Sequence, residues 1–249
     1  MNQEEQWLLK EKYAGVPDAA FQADCKRLAS GEPLGYLIGH VPFLDCTIYL
    51  DSCPLIPRTE TEYWTEQFIT QHRLNKNHRV LDLCAGSGCI GVAVARAFPS
   101  CSITFAEIEE QHLQTIAKNL SCNVPTYSTA ADQYDVRHSN LFTDVEDTFD
   151  HILSNPPYID PNLDRTTASV KNHEPAIALY GGQQGLQHIA HIIENAPTYL
   201  NPGGTLWFEH EPEQTVAIAK LLTISDFAQY ITHNDQYQIP RFTICTMAI

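Results

Sequence analysis

Apolar and polar residues along the chain follow two alternating periods, which predict a β/α domain from about residue 79 onward. Short apolar strands over 79–84, 102–106, 149–153 and 205–208 are interleaved with helical patterns over 90–98 and 110–120. Further strands are predicted around Val136 and over 242–249. Strands and helices of these lengths that alternate predict a parallel, doubly wound sheet with right-handed crossovers, so the fold class is α/β.

The first part of the chain has a different pattern. Residues 1–30 show short helical spacing that is interrupted near Gly15-Val16-Pro17, whereas 31–57 hold turn-forming glycines and prolines. One alternating run, Phe43 to Leu50, predicts a strand or hairpin arm. A helix is predicted from Thr59 to about His72, with Thr59 as N-cap and Glu62 three residues later. We therefore divide the chain into a helical region 1–30, a hairpin linker 31–57 and a main domain 58–249.

Charge narrows the range of partners. The 249 residues include 15 Lys and Arg against 30 Asp and Glu, a formal net charge of −15. Nucleic-acid binding depends on basic patches, and the sequence has no strong basic run, so we expect a neutral or basic protein partner and no direct nucleic-acid binding. The polar, acidic N-terminus and the lack of a long apolar run predict a cytoplasmic protein with no membrane partner.

The cysteines and histidines do not predict a metal site. Eight cysteines form no CxxC pair, and the histidines lack the spacing of zinc ligands. Reduced, buried thiols are the expected state of the cysteines.

A glycine loop follows the strand predicted at 79–84 and opens the next helix. Its sequence is Asp82-Leu83-Cys84-Ala85-Gly86-Ser87-Gly88. Gly86, Gly88 and Gly91 also fit the G-x-G-x-x-G of dinucleotide sites, but an Asp ahead of the loop gives the D-x-x-x-G-x-G form used for S-adenosylmethionine, which has no pyrophosphate. Glu107 ends the next strand and can accept both ribose hydroxyl protons. The alternatives are a plain strand-to-helix turn and an ordinary surface acid.

The tetrapeptide Asn155-Pro156-Pro157-Tyr158 is the most specific motif, because it follows an apolar strand at the carboxyl edge where open α/β sheets bind ligands. Asn155 Oδ1 and the Pro156 carbonyl can accept the two N–H groups of an amide or an exocyclic amine. This orients the nitrogen for methyl transfer and favours positive charge on it. Tyr158 can pack on the planar substrate group. The alternative is a rigid Pro-Pro turn without chemistry.

Together with three further segments, these motifs resemble the release factor glutamine N5-methyltransferase family (PrmC/HemK). The segments are Gly31-Glu32-Pro33-Leu34-Gly35-Tyr36-Leu37-Ile38-Gly39, Leu55-Ile56-Pro57-Arg58-Thr59-Glu60-Thr61-Glu62, and Glu174-Pro175 with Ala178-Leu179 and 181–186. The resemblance implies a seven-stranded Rossmann-like sheet with a reversed last strand, S-adenosylmethionine as methyl donor with S-adenosylhomocysteine as product, and the glutamine of the Gly-Gly-Gln loop of translation release factors as acceptor.

The same resemblance assigns roles to individual residues. It implies that Asn155, Pro156, Pro157 and Tyr158 hold the substrate amide, with Asn155, Pro156 and Tyr158 catalytic and Arg58 and Glu174 in the site wall. It places Asp82, Cys84, Ala85, Gly86, Gly88, Glu107, Asn140, Leu141 and Asn155 around the cofactor.

The sequence departs from the family's pattern in four places. Cys84 replaces a glycine, Asn140 replaces the usual Asp, Thr59 replaces a proline, and the region before Gly31 is short. The family uses that region to dock the release factor, so we expect its docking to be reduced or different here.

Other acceptors and a role without catalysis stay as alternatives. Asn-Pro-Pro-Tyr also suits methylation of another protein glutamine, such as one in a ribosomal protein, or of adenine N6 or guanine N2 in nucleic acid. A non-catalytic adaptor would have no need of Asp82, Glu107 and Asn155 together. Gly181-Gly182-Gln183 spells the substrate's own tripeptide, which we interpret as a coincidence within the family's G-G-x-x-G-L segment.

Overall fold

The computed structural model describes residues 1–125, 127–163 and 165–249. Three helices begin the chain: α1 (Gln3–Glu11), α2 (Ala19–Ala29) and α3 (Leu34–Ile38). Asn2 and Asp18 cap the first two through side-chain oxygens that accept backbone N–H groups. These helices bury a small apolar cluster of their own around Leu8, Phe21 and Leu37.

A hairpin follows, formed by β1 (His40–Phe43) and β2 (Cys46–Tyr49) in antiparallel pairing. The strand or hairpin arm predicted over Phe43 to Leu50 is confirmed at Cys46–Tyr49, but its start is wrong: Phe43 ends the other arm, and Leu44 lies in the turn with a φ of 49°. Helix α4 (Thr59–Gln71) comes next. The prediction that Thr59 caps it is also wrong: Arg58 is the N-cap residue, and the Thr59 hydroxyl bonds to Glu60 instead.

The remaining strands form one seven-stranded sheet: β3 (Arg79–Leu83), β4 (Ser102–Glu107), β5 (Tyr134–His138), β6 (Phe149–Ser154), β7 (Leu200–Glu209), β8 (Gln229–Asn234) and β9 (Pro240–Thr246). Their order is β5-β4-β3-β6-β7-β9-β8. The first five are parallel, whereas β9 runs antiparallel to both β7 and β8. The expected sheet with a reversed last strand is confirmed.

Strand β8 is absent from the pattern-based prediction. It lies at the edge of the sheet, and most of its residues are exposed or half-buried, so it lacks the apolar run of a central strand. Edge strands bury little surface, and their sequence period is correspondingly weak.

Helices cover both faces of the sheet. On one face, α4, α5 (Cys89–Ala97) and α6 (Glu110–Asn123) pack in a core that includes Trp64, Phe105 and Ile116. On the other, α9 (Gln187–Tyr199) and α10 (Thr215–Thr223) pack in a second core around Ile192 and Phe208. Two short helices, α7 (Ala168–His173) and α8 (Ala176–Leu179), lie beyond the end of β6. In the described part of the chain no helix is long and apolar enough to cross a membrane.

Two asparagines of α6 attach the hairpin to the main domain. The Asn119 amide exchanges hydrogen bonds with the Tyr49 backbone at 2.8 and 3.0 Å, and the Asn123 amide does the same with Thr47 at 2.8 and 2.9 Å. Each side chain thus satisfies one N–H and one C=O of β2, as a partner strand would. Asn119 also donates to the Ser87 carbonyl at 2.9 Å, which connects the hairpin to the glycine loop.

Candidate active site

Two cavities adjoin at the carboxyl edge of the sheet. We call the first the glycine-loop cleft; it measures about 190 Å³ and is lined by residues of 84–86, 106–112 and 139–141 together with Leu55, Asn155, Pro157, Ile177, Ala178 and His188. We call the second the tetrapeptide cleft; it measures about 280 Å³, and its lining consists of Leu55, Arg58, Asn155, Pro156, Tyr158, Ile159, Arg165, Thr166, Thr167, Val170, Ala178, Leu179 and Glu211. Asn155 lines both, together with Leu55 and Ala178.

Most of the residues that the resemblance places around the cofactor line the glycine-loop cleft: Cys84, Gly86, Glu107, Asn140, Leu141 and Asn155. Glu107 is buried, and its carboxylate accepts the N–H of Gly86 at 2.7 Å and that of Glu109 at 2.8 Å. These bonds hold the glycine loop and the start of α6 against one carboxylate. Cys84 has a φ of 62° and so stands in a left-handed conformation that favours glycine.

Asp82, Ala85 and Gly88 lie behind the loop and do not line the cleft. Side chains alternate along β3, so Asp82 points under α5, where its Oδ2 accepts the Gly91 N–H at 2.8 Å. Burial raises the pKa of Asp82 to about 8, and the nearby Glu107 charge adds to the rise. Gly88 caps α5 with a φ of 76°. Asp82 therefore shapes the loop from below.

Gly91 is fixed by close packing. A Cβ at this position would overlap the ring of Phe105. The helix that opens at the glycine loop therefore lies directly against β4.

In the tetrapeptide cleft the structure brings together Arg58, Asn155, Pro156 and Tyr158. Pro157, predicted to bind substrate with them, lines the glycine-loop cleft instead. Asn155 Nδ2 donates to Thr61 Oγ1 at 3.0 Å. Among the described residues no donor bonds to Asn155 Oδ1, so this oxygen is available to a ligand.

Glu174 lines neither cleft. Its carboxylate is buried and accepts Arg58 at 2.7 and 2.8 Å and the Ile56 N–H at 3.1 Å. The pair joins the end of the linker to the segment after the tetrapeptide. Its role in the structure is to hold the wall of the cleft, with Arg58 as the member that faces the cavity.

Glu209, which the sequence analysis did not single out, lies directly behind the tetrapeptide. It is the last residue of β7, directly after Phe208, the register partner of Ser154 at the end of β6, and it is 1% exposed. Tyr158 Oη donates to it at 2.7 Å, Thr61 Oγ1 at 2.7 Å and Trp64 Nε1 at 2.8 Å. The sequence did contain a signal for Glu209: it is an acidic residue at the end of an apolar strand, at the carboxyl edge of the sheet.

The Tyr158 hydroxyl stays protonated in this setting. Burial and the negative charge of Glu209 raise the pKa of Tyr158 well above its ordinary value. The Tyr158 side chain therefore contributes a neutral ring, and its hydroxyl donates its proton in the hydrogen bond to Glu209. It does not serve as a base.

The Gly181-Gly182-Gln183 segment packs behind the tetrapeptide. Gly181 N–H donates to the Ile159 carbonyl at 3.0 Å, and a Cβ at Gly185 would overlap the Tyr158 carbonyl. These glycines let the segment approach the loop after β6, which gives them a role in folding.

The fold and the comparisons with known proteins identify the class of this protein as a methyltransferase. Residues 61–172 match a family model described as methyltransferase small domain. The fold is similar to that of the N-terminal domain of human METTL16 in complex with SAH, with a TM-score of 0.54 at 16% identity, over 83% of this chain and 80% of that one.

Sequence relatives are more specific. A release factor glutamine methyltransferase from Thermodesulfovibrio yellowstonii is 33% identical over 207 residues, which cover 81% of this chain and 72% of that protein. One from Xylella fastidiosa strain 9a5c is 33% identical over 236 residues, 93% of this chain and 82% of that protein. The chain belongs to the release factor glutamine methyltransferase family.

Proposed function

We propose that this methyltransferase moves a methyl group from S-adenosylmethionine to the side-chain amide nitrogen, N5, of the glutamine in the Gly-Gly-Gln motif of peptide chain release factors. The observation that carries the proposal is the place of Asn155, whose amide stands where the glycine-loop cleft meets the tetrapeptide cleft. A donor held in one cleft and an amide held in the other meet beside this side chain. The names of the relatives support the choice of acceptor.

The residues of the glycine-loop cleft fit an adenosyl cofactor. Glu107 uses one acceptor site on each oxygen for the Gly86 and Glu109 N–H groups, and a carboxylate has about four, so two remain for ribose hydroxyls. Leu141 and Ile177 offer apolar surface on which a planar base can pack, and Asn140 a polar edge. S-adenosylmethionine bound there supplies a methyl group on a sulfonium centre that a nitrogen lone pair can attack.

The tetrapeptide prepares the acceptor nitrogen. In a planar amide the lone pair is delocalised, so the side chain must be oriented and positive charge on its nitrogen must be favoured. Asn155 Oδ1 and the Pro156 carbonyl accept its two N–H groups, as the resemblance implies. The proton leaves after the nitrogen becomes cationic, so the reaction does not require Tyr158 as a base.

A larger groove supports a polypeptide acceptor. A cavity of about 720 Å³ extends from the tetrapeptide cleft and shares with it Tyr158, Ile159, Arg165, Thr166 and Glu211. A free base or a single side chain would leave this space empty, whereas a peptide loop on either side of a glutamine has chain to place in it. The net charge of −15 favours a partner whose surface is neutral or basic.

The experiment that tests the proposal offers labelled S-adenosylmethionine and three acceptors to the purified chain. The acceptors are a release factor, the same factor with its Gly-Gly-Gln glutamine changed to alanine, and DNA or RNA. We expect label in the first acceptor alone. Label in nucleic acid, equal label in the alanine version, or no label in any acceptor would contradict the proposal.

A further inference from the structure

Three donors converge on the buried Glu209 carboxylate, and one of them, Tyr158, lines the tetrapeptide cleft. Tyr158 bonds to Oε1, while Thr61 and Trp64 bond to Oε2. Glu209 lies two hydrogen bonds from Asn155, through Thr61. We propose that Glu209 is a positioning residue that sets the direction of this hydrogen-bond chain, so that Asn155 presents its oxygen, and not its NH₂ group, to the acceptor; the inference rests on the proposed function.

The direction follows from which groups can donate. A carboxylate only accepts hydrogen bonds, and each of the three groups around Glu209 donates to it, the donor-only Trp64 indole among them. Thr61 bonds to the same oxygen as Trp64 and therefore gives it its single hydroxyl proton. The Thr61 oxygen then has only lone pairs to offer Asn155, and it can receive only the NH₂ side of that amide. The amide oxygen is left for the cleft.

Without this chain the amide would lose its preferred orientation. An asparagine side chain differs little in shape between its two amide orientations, and only its partners distinguish them. If the NH₂ group faced the acceptor, two donors would oppose each other and the substrate nitrogen would not be held. Tyr158, bonded to the other oxygen of the same carboxylate, is fixed with respect to Asn155 by the same group.

The fold places Glu209 where it can do this. Ser154 and Phe208 are register partners on parallel strands, so Asn155, which follows β6, lies next to Glu209, which ends β7 and still pairs with Phe242 of β9. Burial raises the pKa of Glu209, and the bonds from Tyr158, Thr61 and Trp64 together with Arg241 oppose that rise. Thr61 and Trp64 both come from α4, so the chain also joins that helix to the sheet.

Glu209 could position Asn155, as proposed, or only stabilise the fold. The two roles predict different kinetics, and four variants separate them. Thr61→Val cuts the chain to Asn155, and Thr61→Ser keeps it. Trp64→Phe removes a bond to the same Glu209 oxygen without touching the chain, and Glu209→Met removes the hub. We expect Thr61→Val to lower kcat with the acceptor at least about tenfold, since small misplacements of reacting groups are costly. Thr61→Ser and Trp64→Phe should stay within threefold of the wild type.

Binding of S-adenosylhomocysteine and the melting temperature accompany each assay, so that loss of folding is seen as such. Glu209→Met should lower kcat as Thr61→Val does, and the double variant should lose no more than the worse single one, because both act through one chain. Equal losses in Thr61→Val and Trp64→Phe, a Thr61→Val enzyme within twofold of the wild type, or multiplicative losses in the double variant would overturn the proposal.

A second readout does not depend on the acceptor. In ¹⁵N-labelled protein with S-adenosylhomocysteine bound, the side-chain NH₂ protons of Asn155 should exchange slowly in the wild type and in Thr61→Ser, and at least tenfold faster in Thr61→Val. If the Asn155 NH₂ protons exchange at the same rate in the wild type, Thr61→Ser and Thr61→Val, the proposed hydrogen-bond chain is rejected, whichever acceptor the enzyme uses. If the wild type labels no release factor but exchange follows this order, the proposed acceptor fails while the role of Glu209 stands.

Discussion

Seven of the sixteen residues that line the glycine-loop cleft come from two consecutive strand-to-helix turns, at 84–86 and 106–112. The tetrapeptide cleft has no such local core: its lining is taken from residues of 55–58, 155–159, 165–170 and 178–179, together with Glu211. The first is held mainly by backbone N–H groups that one carboxylate, Glu107, collects. The second is held by side chains far apart in sequence, Arg58 with Glu174 and Thr61 with Glu209. The part of the glycine-loop cleft that Glu107 holds is thus local in sequence, whereas the tetrapeptide cleft depends on contacts between distant parts of the chain.

Asn155 belongs to both clefts, and its removal gives the sharpest test of their separation. We expect Asn155→Ala to lower kcat by about 100-fold or more, comparable to the loss of one group that stabilises transition-state charge. Binding of S-adenosylhomocysteine, measured by calorimetry, should change less than threefold, because Glu107 and the glycine loop are untouched. A parallel loss of cofactor binding would show that the two clefts are not separable at this residue.

A change at Glu107 should have the opposite effect: it should weaken cofactor binding and leave acceptor binding unchanged. Glu107→Ala removes the acceptor of the Gly86 and Glu109 N–H groups, and bonds to a charged group are worth about 1.5 to 3 kcal/mol. We expect the Kd for S-adenosylhomocysteine to rise at least about tenfold, while the KM for the acceptor at saturating cofactor stays within twofold. The exposed neighbour Glu110→Ala is the control and should leave both constants unchanged. A larger change in acceptor KM than in cofactor Kd would remove the distinction between the clefts.

The Arg58–Glu174 pair tests whether the tetrapeptide cleft depends on its distant contacts. Arg58→Met leaves a buried carboxylate without its cation and should cost about 2 kcal/mol in the free energy of unfolding, measured with urea. We expect the acceptor KM to rise several-fold with little change in cofactor affinity. Adding Glu174→Gln should recover part of the stability, since the uncompensated charge is gone. Strictly additive losses would show that the two side chains do not act as a pair.

Acid should remove the stability that two buried histidines contribute to the fold. Burial, and then the nearby His72, lower the pKa of His151 to about 3, and burial lowers that of His210 to about 4. Because these folded-state pKa values lie below the unfolded value of about 6.5, the unfolded chain binds more protons at these two residues, and their contribution to stability falls as pH drops below about 6.5.

At pH 5.5 the loss should be about 1 kcal/mol for each of these histidines relative to pH 7.5. Urea unfolding of the wild type and of His151→Asn at both pH values measures it: the stability of the wild type relative to the variant should fall by about 1 kcal/mol between pH 7.5 and 5.5. The comparison with the variant isolates the histidine, because Asp82, whose raised pKa lets the folded state bind a proton, contributes in the opposite direction over the same pH range. A stability difference that is the same at both pH values would contradict this assignment.

The glycine loop and the central strands could be predicted because their signals are local. An apolar strand, a glycine turn and a helix are contiguous, and the tetrapeptide directly follows its strand. Edge strand β8 escaped prediction because it buries little surface, and the hairpin was misjudged because its turn, at Leu44, lies inside an apolar run.

Asp82 and Pro157 show a second limit of sequence patterns. Their motif is plain in the sequence, but which way each side chain faces depends on what packs above and below the strand. Glu209 shows a related limit, because its contacts are distant in sequence. Its bond to Thr61 joins residues 148 positions apart, and no periodicity of the sequence links them.

The sequence by itself determined the α/β class, the glycine loop with Glu107 at the next strand end, and the tetrapeptide at Asn155, because each depends on hydrophobic periodicity and turn residues within a short segment. Only the tertiary structure showed what holds the Asn155 amide: its Nδ2 donates to Thr61 Oγ1, and Thr61 in turn donates to Glu209. That arrangement depends on hydrogen-bond donors and acceptors from α4, β6 and β7, which come together only once the sheet has formed and water is excluded from around Glu209.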